Sequence, residues 1–105
     1  MAISNAAWDG SASNYKDTDA YCAACLIDEN QAGKDKVQAL CKLPIKTPAG
    51  DINSNAVHAA ASALAGGRGG VSASAASKKA AARKIKAIYG QMKEDCPPSI
   101  MNMAS

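Results

Sequence analysis

Four cysteines carry the first chemical signal in this chain. Cys22 and Cys25 stand two residues apart, and Cys41 and Cys96 follow singly. Four thiolates suit a tetrahedral zinc ion, and the first pair has the gap that zinc knuckles use. On one helix the i, i+3 spacing of Cys22 and Cys25 would put both sulfurs on the same side, where they can chelate. The chain has no second two-cysteine knuckle. A structural zinc site at Cys22, Cys25, Cys41 and Cys96 therefore stands beside two other fates, a disulfide or burial as free, small apolar groups. Buried free thiols are the expectation. A thioredoxin-type redox role for residues 22–25 needs a surrounding βαβ unit, which the sequence does not predict. His58 is the only histidine. It has no Ser or Asp at triad spacing and reads as a packing or surface residue. A nucleophile elbow, a carboxylate pair and a zinc-hydrolase helix are all missing, so no catalytic residue is assigned and the chain is not expected to be an enzyme.

Other residues suit binding. Gly66, Gly67, Gly69 and Gly70 surround Arg68. This loop lacks the Gly-Lys-Ser/Thr ending of a phosphate cradle and reads first as a flexible link between helices; the competing reading has it expose backbone N–H groups and Arg68 to a phosphate or a carboxylate. Lys78, Lys79, Arg83, Lys84, Lys86 and Lys93 form a basic set in the last third of the chain. Lysines and arginines that track phosphates give salt-dependent affinity for nucleic acid or for an acidic partner. Base reading would be poor, because that face has one Arg and no Asn or Gln. Trp8 and Tyr15 are large aromatics in a polar N-terminal stretch, the residue types that most often anchor protein interfaces.

The elements that must position these groups follow from periodicity. Asp17, Thr18 or Asp19 caps a short helix through residues 20–25. Residues 24–27 and 37–43 read as a two-stranded hairpin, with Val37, Ala39, Cys41 and Leu43 alternating onto one face. Residues 44–51, with Pro44, Pro48 and Gly50, read as an extended connector. A helix over about 54–65 carries Val57, Ala61 and Leu64 inward, and the glycines end it. The strongest helix runs over about 74–92. Its Ala81, Ile85, Ile88 and Met92 lie within about 60° of one another at 100° per residue, with Lys79, Arg83, Lys86 and Lys93 opposite. Residues 1–14 read as an N-terminal arm, 15–96 as one globular domain and 97–105 as a C-terminal tail. The fold class is α+β: a small, mostly helical single domain with a short β-hairpin packed on two or three helices.

Composition limits the core. Of 105 residues 24 are Ala, 22 are Ile, Leu, Val, Met, Trp or Tyr, and none is Phe, so half of the 48% apolar content is methyl groups. At about 25 cal/mol per Å² an alanine contributes little, and a staple, a partner or homo-oligomer formation is expected to help. No apolar run reaches the roughly 18 residues of a membrane span. The first nine residues lack a basic region and a long apolar region, so no secretory signal is expected. Charge is uneven. Residues 1–52 hold seven acids and five lysines, while residues 53–105 hold seven bases and two acids. That asymmetry suits a solvated helix face, nucleic acid or an acidic protein partner.

From Leu43 onward the order of features resembles a known family. Lys42-Leu43-Pro44-Ile45, a turn, Val57-His58-Ala59-Ala60-Ala61-Ser62-Ala63-Leu64, a Gly-Val step and a Lys/Arg/Ala-rich amphipathic helix are similar to a small helical domain of tailed bacteriophages. That domain occurs in the head-gene region, alone or attached to prohead proteases and other head proteins. The match covers roughly residues 40–95, with Trp8-Asp9-Gly10 as a weaker echo. The chain carries no protease residues. The resemblance therefore implies a virion structural or accessory protein that binds the capsid shell or another head protein, in a decoration or head-assembly role. It also implies folding in the bacterial cytoplasm, where thiols stay reduced. Trp8 and Tyr15 are the expected partner contacts. The alternative is a nucleic-acid-binding module using Arg68, Lys79, Arg83, Lys86 and Lys93.

Overall fold

Short polar side chains start the helices. The computed structural model describes residues 3–31, 33–66 and 70–105. Asp17 accepts from the Ala20 amide at 2.8 Å and caps α1 (Thr18–Ala23). Asn53 accepts from Ala56 at 3.0 Å and caps α2 (Ser54–Leu64). Ser74 accepts from Ser77 at 3.1 Å and caps α3 (Ala75–Met92). Each of these side chains satisfies one of the free N–H groups at a helix start. The chain then closes α3 with Lys93 in the left-handed region, at φ 57°, and Pro97 and Pro98 lead into α4 (Pro98–Ala104).

The strands are short. β2 (Cys25–Asp28) and β3 (Cys41–Pro44) pair antiparallel, with Cys25 opposite Pro44, Ile27 opposite Lys42 and Asp28 opposite Cys41. β1 (Ile3–Ser4) runs parallel to β4 (Ile52–Asn53), with Ile3 opposite Ile52. The hairpin packs on the helices, since two strands alone are not stable in water. The Cα radius of gyration is 13.1 Å, that of one compact domain of about this length. The structure is thus a small α+β domain with its hairpin against the helices.

The core joins the two halves of the chain. Val57, Ile85 and Ile100 are fully buried, and Leu26, Ile27, Ile45, Ile52, Leu64 and Ile88 surround them. Ala56, Ala60 and Ala61 of α2 and Ala81 and Ala82 of α3 fill the remaining space. Alanine makes a thin core here, but it lets packed helix backbones come close.

Four expectations change. The second hairpin strand begins at Cys41, because residues 38–40 form a 3-10 turn and Val37 is 53% exposed. The Asn30 side chain takes the place of a strand partner there: its Oδ1 accepts from the Val37 amide at 2.7 Å and its Nδ2 donates to the Val37 carbonyl at 3.2 Å. Residues 44–51 do not extend but reverse direction. Thr47 bonds Gly50 and Asp51 through the backbone, with Pro48 in the second turn position and Gly50 at φ 96°. The segment read as a tail, 97–105, forms α4 on α3 and places Ile100 in the core. The segment read as an arm, 1–14, joins the domain: β1 pairs with β4, and Ile3 and Trp8 pack against the core.

Candidate functional site

The N-terminal segment and the turn after β3 enclose a cleft of about 340 Å³, and Trp8 and Tyr15 both line it. Thr47, Pro48 and Asn53 complete its walls. Three consecutive polar side chains at the start of α2 hold the segment in place. Asn53 Nδ2 donates to the Ala6 carbonyl at 3.0 Å, Asn55 Nδ2 donates to the same oxygen at 2.9 Å, and Ser54 Oγ bonds Asn5 Oδ1 at 2.6 Å. Asn53 is only 1% exposed and has both ends of its amide engaged, one on the helix cap and one on the arm. Trp8 is half-buried and packs against the core. Gly10 makes room for its ring: φ 67° lies in the left-handed region that favours glycine, and a Cβ there would meet Trp8 Nε1 at 2.9 Å. Tyr15 is buried, and its hydroxyl donates to the Lys46 carbonyl. Its ring meets Tyr21 edge to face at 5.5 Å. Burial pushes the Tyr15 hydroxyl pKa up, with the neighbouring Cys25 and Asp9 adding to it. Trp8 is therefore the cleft's accessible aromatic, and Tyr15 is its fixed wall.

The cysteines separate into a bonded pair and two thiols. Cys22 of α1 and Cys41 of β3 form a disulfide with Cα atoms 5.3 Å apart. The turn from α1 into β2, and the pairing of β2 with β3, bring residues 19 apart in sequence side by side. Two of the four thiols proposed for zinc are thus bonded to each other, and Cys25 and Cys96 are free and half-buried. This corrects the expectation of four buried free thiols. The i, i+3 chelate of Cys22 and Cys25 does not form on one helix, because α1 ends at Ala23 and Cys25 opens β2. The Cys25 thiol donates to the Tyr21 carbonyl at 3.3 Å, and burial raises its pKa to about 11. Among the described residues, the potential metal-ligand atoms that gather are those of Cys22, Asp28 and Cys41, within 4.8 Å of one another.

The basic residues lie on the outer side of α3. Lys79, Arg83, Lys84, Lys86 and Lys93 are exposed. Arg83 is partly committed, because its Nε donates to the Ala104 carbonyl at 3.1 Å and ties the end of α4 to α3. Arg68 lies outside the described residues. A second concavity, about 580 Å³, has Leu26, Ile45 and Ile88 in its floor and Lys46 and Lys84 on its walls. His58 sits exposed on α2, and its Nε2 is 2.7 Å from Glu94 Oε1 just beyond α3. That contact links the middle of α2 to the chain just beyond α3 and brings no nucleophile to the ring.

Sequence reasoning missed Asp28, Asn30, Thr47 and Pro48. Asp-x-Asn at 28–30 is a turn signature that was legible: Asp28 Oδ1 accepts from the Asn30 amide at 2.9 Å. Thr47 and Pro48 gave no such signal, because only the returning chain makes them face the arm. No protein-family model, curated protein or solved structure matches the chain. No described helix is long and apolar enough to cross a membrane.

Proposed function

We propose that this chain is a non-enzymatic structural or accessory protein of a phage particle, which binds the capsid shell or another head protein through the Trp8 cleft. The observation that carries the reading is the convergence of Trp8 and Tyr15, the two residues expected to contact a partner, on one cleft with Pro48 opposite. A half-buried tryptophan held by a glycine and backed by a fixed tyrosine is a preorganised anchor, and anchors of this kind carry most of an interface's energy. The resemblance to phage head-region domains supports the choice of partner. Assembly would place the protein in the host cytoplasm first and in the virion afterwards.

Trp8 is the only tryptophan, so its emission reports the cleft directly. Co-sedimentation with capsids of the same phage, accompanied by a shift of that emission, is the expected result. Trp8→Ala should cost about 2 kcal/mol of binding, near thirtyfold, with the helical circular dichroism retained. Undiminished co-sedimentation of the variant overturns the cleft as the contact. The second reading, nucleic-acid binding, is favoured by the exposed row Lys79, Arg83, Lys86 and Lys93. Retention of a DNA duplex at physiological salt, lost on charge reversal at Lys79 and Lys86, would favour it over the shell.

A further inference from the structure

The Cys22–Cys41 bond lies against a carboxylate. Asp28 stands opposite Cys41 in the hairpin register, and ligand atoms of Cys22, Asp28 and Cys41 all lie within 4.8 Å of one another. Around a tetrahedral zinc with bonds of about 2.0–2.3 Å, ligand atoms are about 3.3–3.8 Å apart. Shifts on the order of 1 Å would therefore close a three-ligand site once the sulfurs are free. Two thiolates and a carboxylate are ligand types that zinc accepts.

The surroundings fit such a site. Cys22 and Cys41 are buried on α1 and β3, while Asp28 is exposed at the end of β2 and opens the site to solvent. Asn30 Nδ2 donates to Asp28 Oδ1 at 2.8 Å and lies 3.2 Å from Cys41 Sγ, so one amide orients two of the ligands. Outer hydrogen bonds of this kind hold metal ligands in place. Lys36 pairs with the other Asp28 oxygen. Asp28 Oδ1 already accepts from the Asn30 amide and side chain, whereas Oδ2 holds Lys36 alone and keeps a second lone pair for a metal.

We propose that the reduced protein binds a zinc ion through Cys22, Asp28 and Cys41, with a solvent molecule in the fourth position, so that disulfide and metal are alternative occupants of one site. A dithiol reductant gives two electrons and two protons to the Cys22–Cys41 bond and itself closes to a cyclic disulfide. The two thiols formed then release their protons to water as zinc binds their sulfurs. Oxidation of the thiols by a disulfide of higher potential reverses the sequence and expels the ion. Neither occupant involves Cys25 or Cys96.

Cobalt(II), which reports thiolate ligation through its charge-transfer absorption, tests the proposal in the full chain before and after phosphine reduction. One equivalent should bind the reduced protein, be displaced by zinc and fail to bind the oxidised protein. The Cys25→Ser/Cys96→Ser double variant should bind equally well. Asp28→Asn should weaken binding at least tenfold, and Cys41→Ser should abolish the thiolate band at the same cobalt concentration. Absence of the band in the reduced protein overturns the site. So does a band that needs Cys25 or Cys96, or one indifferent to Asp28→Asn. Circular dichroism separates a folded site from a loose chelate: a reduced protein that loses its helical signal and does not regain it with cobalt also refutes the proposal.

Discussion

Cys25 shows how little a residue's type says about its reactivity. In Cys22-x-x-Cys25 the second thiol looks like half of a redox pair, yet its partner is bonded elsewhere and its own sulfur is half-buried under Tyr21. Burial lifts its pKa from about 9 to about 11, and the charge of Asp28 adds to the rise. A raised folded-state pKa keeps the neutral thiol, so this contribution to stability is complete below pH 9 and is lost as pH rises towards 11. Alkylation of Cys25 by iodoacetamide at pH 8, followed by peptide mass spectrometry, should run about 100-fold slower than in the unfolded chain, the ratio of thiolate fractions for a two-unit shift. Equal rates would mean the thiol is open to water. Asp28 is the opposite case: hydrogen bonds from Lys36 and Asn30 hold its pKa down to about 2. Only the Asp28–Asn30 turn was legible in the residues; the Lys36 contact and the burial of Cys25 depend on how the chain folds around them.

At the scale of elements, Asn53 decides how the N-terminal segment is held. Among the polar residues around the start of α2, Asn53 is the one that caps it. Its other role, donating to Ala6, joins elements 47 residues apart and could not be read from spacing. Asn53→Ala removes both bonds from a buried position and should cost about 2–3 kcal/mol in chemical denaturation. Asn53→Asp keeps the cap but loses the donor to Ala6 and should cost less than the alanine variant. Equal losses would mean the cap contributes nothing, and an unchanged Asn53→Asp would mean the same of the arm contact. The hairpin tells the same story: its existence was legible in the apolar runs, whereas its start at Cys41 was set by the Asn30 side chain satisfying the backbone of Val37.

Over the whole molecule, α4 completes a core that the rest of the chain leaves open. Ile100 is fully buried beside α3, and the α3 face it joins includes Ala82 and Tyr89 as well as the expected stripe of Ala81, Ile85 and Ile88. Ile100→Ala should therefore destabilise the entire fold by about 2–5 kcal/mol in a single cooperative transition, the cost of a buried aliphatic deletion. A loss below about 0.5 kcal/mol would return 97–105 to the status of a tail. The sequence by itself determined the fold class, the hairpin, and helices α2 and α3 with their apolar faces. Those features are written in local periodicity, capping side chains and helix-ending glycines and prolines. Only the tertiary structure decided which cysteines bond, that the last residues fold back as α4, and that Trp8 and Tyr15 meet at one cleft. These depend on contacts between segments distant in sequence, where composition sets what can pair and the path of the chain selects the pair that does.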